Sequence, residues 1–409
     1  FHADRKAVLE IEYTNEEGTG LGPTLEFYAL VAAELQRKSL ALWVCDDDDT
    51  HASKSNEEKE IDLGEGKKPA GYYVRRVGGL FPAPLPPGTE ESQKAADMFR
   101  ILGVFLAKVL LDGRLVDLPL SRSFLKLLVH PQIGEEIHGP NLHNVLTLDD
   151  FEEVNPVKGS FLKELIALAH RKRTIESDST LDHTAKRMKI SELKLHMKGS
   201  SCRIEDLALN FTVNPPSKVF QYSEMELVDG GGDIDVTLDN VEHYVEKCEQ
   251  FYLNNGIAHQ MRAFREGFDR VFPLSTLRAY SPEEVQGLLS GEQCPEWTRD
   301  DVLNYTEPKL GYSRESPGFL RFVDVMEALT AQERKNFLQF ATGCSSLPPG
   351  GLANLHPRLT IVRKVESGDG SYPSVNTCVH YLKLPEYSTA EILRERLLTA
   401  INEKGFHLN

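Results

Sequence analysis

The stretch PSVNTCVHYLKLPEY, Pro373 to Tyr387, decides how the rest of the chain is read. It holds one cysteine, Cys378, between Thr377 and Val379, in an apolar run that stops at Leu384-Pro385. Ser388 reads as the N-cap of a following helix, with Glu391 as the third helical residue of a capping box. Leu393, Leu397 and Ile401 recur at helical spacing, and Gly405 stops the pattern. The cysteine is therefore expected at the end of an extended segment, ahead of a turn. A cysteine taken at random is most often a small buried hydrophobe, so its neighbours must argue for anything more.

The neighbours carry a pattern. T-C-x-x-x-L-x-L-P-E-Y-S, closed by Gly405-Phe406, resembles the end of a HECT ubiquitin ligase. Further stretches extend the resemblance from about residue 8 to 406. EEGTGLGPTLEFY, Glu16 to Tyr28, is similar to the opening of the HECT fold. LVDLPL at 115 to 120 is typical of its N-terminal lobe, and FATGCSSLPPGGL at 340 to 352 is similar to the family's F-x-T-G-x-x-x-x-P-x-G-G. Within the family the chain looks closest to the ubiquitin-fusion-degradation branch, which includes a thyroid-receptor-interacting ligase.

The resemblance implies an α+β, bilobal fold. The N-lobe would span 1–292, as a large subdomain (1–189 and 253–292) and a small α+β subdomain at 190–252 that receives the conjugating enzyme. The C-lobe, 293–409, would carry the cysteine. Gly291 to Pro295 is the expected hinge, because glycine tolerates wide backbone angles and Glu292-Gln293 offer no apolar anchor. The implied activity is two acyl transfers: Cys378 takes ubiquitin from a conjugating enzyme as a thioester, then gives it to a lysine amine. Ubiquitin, a conjugating enzyme and protein substrates recognised by missing upstream regions are the implied partners. Thr377 or nearby backbone NH groups would stabilise the tetrahedral intermediate. Leu207, Leu209 and Tyr244 match positions that line the conjugating-enzyme groove, and Phe406 matches a phenylalanine that docks on the N-lobe during lysine transfer. The group that orients the acceptor lysine stays open between the terminal carboxylate of Asn409 and an N-lobe acid.

His380 invites another chemistry. In an extended segment Asn376, Cys378 and His380 share one side, and a papain-like site needs Cys, His and Asn together. Those bases come from distant segments that face the thiol, whereas strand neighbours point alongside it. The HECT pattern usually has Asn at position 380 and His at 376, and the chain departs at both. Two rival functions follow: a cysteine hydrolase of ubiquitin conjugates, or a non-catalytic helical interaction module with an inert Cys378.

The whole-chain numbers fit the family. The 409 residues, 40% hydrophobic and 26% charged, suffice for two or three cores. A net charge of −16 argues against nucleic acid as the main partner. The six cysteines are scattered without a C-x-x-C pair, so neither zinc nor another cofactor is expected, and a reducing compartment, nucleus or cytoplasm, is. No apolar run is long enough to span a membrane, and the start at Phe1 reads as a cut from a larger protein.

Local readings fill the rest. VLEIEY at 8 to 13 and CRIEDLALNFTV at 202 to 213 alternate like strands, the second placing Leu207, Leu209 and Phe211 on one face. Gly18, Gly20 and Gly22 fail the G-x-G-x-x-G spacing and read as a turn before a helix from about Thr24 to Gln36. Asp46 to Lys68 reads as an acidic mobile insertion, LFPAPLPPG at 80 to 88 as a Pro-rich connector, and His170 to Lys189 as a polar, basic loop. The stretch from Pro317 to Gly343 reads as helical.

Overall fold

A computed structural model describes residues 7, 9–13, 21–45, 68–69, 71–130, 145–197, 200–292, 295–365 and 368–402. The readings of Gly18, Gly20, the acidic insertion, Gly405 and Phe406 lie outside them. The buried apolar residues form two separate cores, one running from Tyr28 to Leu289 and the other from Trp297 to Ile401.

The first core is built from long helices. Helix α1 is Leu21–Glu34 and α2 is Glu90–Leu111, capped by Thr89, whose hydroxyl accepts from the Ser92 amide. Next come α3 (Arg122–Val129), α4 (Leu148–Val154), α5 (Pro156–Ser177) and α6 (His183–Ser191). The small subdomain contributes β1 (Leu195–Met197), β2 (Ser200–Cys202), β3 (Thr212–Val213), β4 (Met225–Glu226) and α7 (Val241–Gln250). Two hairpins result, β1 with β2 and β3 with β4, both antiparallel. A single π-helical turn, Phe251–Asn255, leads into α8 (Ala258–Asp269), and α9 (Pro282–Ser290) closes the unit. Helices α2 and α8 form its centre and touch backbone to backbone. A Cβ added at Gly103 would collide with the Phe264 carbonyl, and one at Gly267 with the Arg100 carbonyl.

The second core holds α10 (Arg299–Tyr305), β5 (Glu307–Lys309), α11 (Pro317–Glu327), α12 (Ala331–Thr342), β6 (Thr360–Arg363), β7 (Ser374–Asn376), β8 (Tyr381–Leu384) and α13 (Ala390–Asn402). Its sheet has the order β5-β6-β8-β7, with β5, β6 and β8 parallel and β7 antiparallel to β8. The expected α+β bilobal class is therefore the observed one, and among the described residues no helix is long and apolar enough to cross a membrane.

Several local expectations give way to tertiary structure. Residues 9–13 are not a strand; the Leu9 amide donates to Asp112 and the Ile11 amide to the Thr24 hydroxyl, which fastens an irregular segment to the helices. Residues 202 to 213 are not one strand either. Asp206 accepts from the Arg203 amide and starts a 3-10 turn over Ile204–Leu207, and Ala208 ends it at φ 47°. Leu207, Leu209 and Phe211 hence do not share a strand face. The Pro-rich stretch is no exposed connector: residues 81 to 86 are buried. Its backbone pairs on one side with residues 42 to 44 (Val44 amide to Phe81 carbonyl, 2.9 Å) and on the other with 119 to 121 (Ser121 amide to Leu80 carbonyl, 2.9 Å).

The basic loop at 170 to 189 is instead the end of α5, a short link and α6. Arg171 pairs with Glu164, Lys172 with Asp239 and Arg173 with Glu242, so the run ties α5 to the start of α7. The stretch from Pro317 is two helices, because Thr330 and Glu333 form a capping box that restarts the chain after Leu329. Thr389, not Ser388, accepts from the Ile392 amide at the start of α13; Ser388 is held by Asp369 through its amide (2.8 Å) and its hydroxyl (2.7 Å).

Overpacking a close helix pair typically costs ~1–3 kcal/mol. Gly267→Ala should lower the unfolding free energy of the first unit by an amount in that range, read as a lower urea midpoint, while Gly343→Ala, where an added Cβ meets nothing within 4 Å, strains only a left-handed turn of the second. An unchanged midpoint for Gly267→Ala would show that α2 and α8 have room to separate.

Candidate active site at the lobe junction

Cys378 lies within a turn, not on a strand. Asn376 pairs with Tyr381 across the β7–β8 hairpin, so residues 377 to 380 are the loop. Thr377–Val379 forms a 3-10 turn, and His380 follows at φ 51°. Left-handed backbone costs a non-glycine residue about 1 kcal/mol or more, so something must hold it. The His380 amide donates to the Thr377 carbonyl (3.3 Å), its carbonyl accepts from the Thr360 amide on β6 (2.8 Å), and its Nδ1 faces the Pro357 carbonyl. The ring is 4% exposed. Asn376, Cys378 and His380 therefore do not line one strand side, and the buried imidazole acts as the peg of the turn. Nδ1 meets a carbonyl, which assigns the proton to Nδ1 in the neutral ring. Burial is the main influence lowering the His380 pKa, and the Arg114 charge adds to it.

The residues after the turn are equally anchored. Tyr312 donates to the carbonyls of Leu384 and Pro385, both at 3.2 Å, and the Tyr387 hydroxyl donates to the Ser371 carbonyl at 2.7 Å. The Leu-Pro-Glu-Tyr signature is thus a strand end stitched to the core. Val379, beside the cysteine, is 38% exposed.

The hairpin turn packs on α1, from the other lobe. On α1, Leu25, Ala29 and Ala33 form one stripe at four-residue spacing, and they face Thr342 and Cys344 at the end of α12 across a narrow cavity. The Cys344 thiol lies in this junction, and burial pushes its pKa up to about 12. It is therefore a poor nucleophile there.

Residues 293 and 294 lie outside the described residues, but the start of the expected hinge is visible. Gly291 has φ 69°, and its amide still caps α9 by donating to the Gly287 carbonyl. A Cβ there would strike the Leu347 carbonyl. Glu292 is not the unanchored residue that its polarity suggested. Its amide donates to the Leu347 carbonyl (2.7 Å), and its carboxylate accepts from the Gly350 amide (3.1 Å). The change of allegiance falls between Gly291, which belongs to α9, and Glu292, which belongs to the loop after α12.

The three residues expected at a partner groove divide. Leu207 and Leu209 are half-buried at the edge of the small subdomain. Tyr244 is only 7% exposed and packs edge-on against Phe211 at 5.5 Å. It belongs to the core beneath them. Thr377 is half-buried in the hairpin turn, and its carbonyl accepts from His380. Among the described residues no group of three His, Cys, Asp or Glu could hold a metal ion. Sequence reasoning missed Arg114 and Cys344 at the junction and read Glu292 only as a hinge residue without an anchor; nothing in the local sequence shows what the fold brings together there.

The geometry is a two-core chain with Cys378 in a hairpin turn of the C-terminal unit, and that turn packs on α1 of the first. The model of the HECT-domain (ubiquitin-transferase) family covers residues 29–409, and the chain belongs to that family. It is 88% identical over 409 residues to the E3 ubiquitin-protein ligase hecd-1 of Caenorhabditis elegans, covering 100% of this chain and 15% of that protein. It is 51% identical over 446 residues to E3 ubiquitin-protein ligase Ufd4 of Drosophila melanogaster, covering 100% of this chain and 16% of that protein. It is 37% identical over 412 residues to E3 ubiquitin-protein ligase TRIP12 of Danio rerio, covering 99% of this chain and 19% of that one. The chain thus spans less than a fifth of the length of these relatives, and it falls in the expected branch of the family.

The His380 peg has a pH signature. Its pKa is lowered on folding from the ordinary 6.5, so the unfolded chain binds the proton more readily. The stability that the neutral ring contributes is complete above pH 6.5 and is lost as pH falls from there toward the depressed value. The melting temperature of the C-terminal unit should therefore fall between pH 7 and 5.5. His380→Asn, which tolerates left-handed backbone, should flatten that slope. An equal slope in both proteins would assign it to other groups.

Proposed function

We propose that the chain is the catalytic domain of a HECT-type ubiquitin-protein ligase that carries ubiquitin on Cys378 as a thioester and passes it to lysine amines. The observation that carries this reading is the placement of Cys378 in a tight, pegged hairpin turn at the junction of two independently cored lobes. A nucleophile at such a place can meet two partners in succession if one lobe swings.

The first transfer is exchange of one thioester for another, with nearly balanced bond energies. An ordinary thiol near pKa 8.5 is about 7% thiolate at pH 7.4. That suffices when the partner thioester is held close, because positioning supplies most of the acceleration. In the second transfer a neutral lysine amine attacks the thioester carbonyl. The C–N bond forms, the C–S bond breaks, thiolate leaves and the amine proton passes to a base. Backbone NH groups beside Cys378, with the Thr377 hydroxyl, would stabilise the intermediate oxyanion; the His380 amide is committed to the Thr377 carbonyl. His380 serves as a positioning residue for the turn; a papain-type role would need an accessible imidazole facing the thiol.

The domain assignment follows the same reading with the boundary one residue earlier than the expected 292/293: N-lobe 1–291, conjugating-enzyme subdomain at 190–252 resting on α5, and C-lobe 292–409. Leu207 and Leu209 form the apolar edge for the conjugating enzyme, and Tyr244 supports it from below. Phe406 docks the tail on the N-lobe during lysine transfer. Substrates are chosen by regions outside this chain. A thiol that must stay reduced places the protein in nucleus or cytoplasm.

Activating enzyme, conjugating enzyme, ATP and ubiquitin should give a thiol-sensitive ubiquitin adduct on this chain. Cys378→Ala should lose it at unchanged melting temperature, and Cys378→Ser should give a thiol-resistant oxyester, since alkoxide leaves less readily than thiolate. An adduct persisting in Cys378→Ala would overturn the assignment. Cleavage of ubiquitin conjugates without ATP would favour a hydrolase instead.

A further inference from the structure

A second cleft opens at the lobe junction beside the catalytic turn. The N-lobe contributes Leu25, Gly113 and Arg114; the C-lobe contributes Ser346, His356 and His380, around a cavity of about 120 Å³. A water needs only about 10–15 Å³ by this kind of measure, so the cleft has room for a side-chain carboxyl group with water around it.

Arg114 stands out among its walls. It follows α2 in a tight link, its amide donating to the Val109 carbonyl at 2.9 Å. The side chain is half-buried, and its Nε is enclosed without a hydrogen-bond partner. Its charge is felt by the Tyr28 hydroxyl on the N-lobe side and by the His380 ring on the C-lobe side. The nearest acid in sequence, Asp112, has one oxygen committed to the Tyr28 hydroxyl (2.6 Å) and the Leu9 amide (3.2 Å). Among the described residues no carboxylate pairs with Arg114. A guanidinium keeps its proton under all ordinary conditions and offers five donors in a fork that fits a carboxylate. Leaving such a charge half-desolvated without a counter-ion is unfavourable.

We propose that this cleft is a carboxylate-binding subsite for the acyl acceptor, with Arg114 as its anchor. The inference rests on the transferase reading and deepens it, because Arg114 becomes a specificity residue. His380 lines the cleft and is also the last residue of the turn that holds Cys378. An acidic side chain bound by Arg114 therefore brings a lysine adjacent in its sequence beside that turn, since consecutive Cα atoms are about 3.8 Å apart. Acceptors with an acidic neighbour are favoured. The same chemistry has one other source, the chain's own C-terminal carboxylate at Asn409.

The test uses the full chain charged with ubiquitin on Cys378, freed of excess reagents and followed through one turnover. Two short peptides serve as acceptors, alike except for Asp or Asn next to a single lysine, and wild type, Arg114→Met and Arg114→Lys are compared. Wild type should prefer the Asp peptide. Arg114→Met should raise its half-saturating concentration roughly five-fold, leave the maximal rate unchanged and leave the Asn peptide unaffected. Arg114→Lys should retain part of the preference. If Arg114→Met slows both peptides equally, and removing His407 to Asn409 cancels that difference, the bound carboxylate is the chain's own. Equal behaviour of wild type and Arg114→Met with both peptides and with the tail present overturns the proposal. Melting temperatures check folding of each variant. Charging of Cys378 precedes every measurement, so a failure to charge counts against the transferase reading and not against this one.

Discussion

The hydrogen bond from the buried His380 ring to the Pro357 carbonyl holds the turn on which the proposed chemistry rests. The turn joins an antiparallel pair, β7 and β8, in only four residues, and its last residue must take a left-handed backbone. Glycine would adopt that conformation freely, but it would leave the turn unpegged. Histidine supplies a ring that fills the space under the turn and a donor for a carbonyl from the loop before β6. The sheet supplies the rest, since β6 takes the His380 carbonyl. Strand order therefore matters to function: β6 lies beside β8, so the segment before β6 reaches the base of the catalytic loop.

The second constraint comes from the proposed mechanism, in which a single thiol must serve two stations. Among the described residues the two cores share few hydrogen bonds across their boundary, and those lie at Glu292. Leu25, Ala29 and Ala33 offer the C-lobe a smooth helix face, and small side chains are easily parted. Glu292 travels with the loop at Leu347 and Gly350, whereas Gly291 remains the cap of α9. The backbone between them is where a swing can be absorbed without opening either core. The π-turn at Phe251–Asn255 is a different device: it adjusts the line from α7 into α8, joining the small subdomain to the large one.

Much of this was legible in the sequence, and the failures share a cause. The cysteine signature, the helix after it and the break near residue 291 depend on local pattern, and they read well. Ser388 and Thr389 are both good caps, and only the position of Asp369 decides which one is free to act. The Pro-rich ribbon read as a connector from its composition, yet Leu80, Ala83 and Leu85, which keep the amide hydrogens that proline lacks, donate to Pro119, Leu42 and Gly256 and tie it into the core. The 202 to 213 stretch alternates like a strand, yet an Asp three residues after Arg203 coils its first half. The basic run at 170 to 173 looked free because its partners, Asp239 and Glu242, lie some seventy residues on in the sequence. Arg114 and Cys344 were invisible for the same reason, since the junction exists only in three dimensions.

The account stands or falls on whether the catalytic turn leaves the junction to be charged. Cys344 reports this directly, because it is partly buried against α1 there and burial pushes its pKa up to about 12. Iodoacetamide labelling of Cys344, read by mass spectrometry on the Cys378→Ala chain, should be slow alone and with free ubiquitin. It should speed up when a conjugating enzyme stably linked to ubiquitin is added. If Cys344 stays protected under that condition, while the wild-type chain is charged at its normal rate, the lobes need not part and the two-station account is wrong.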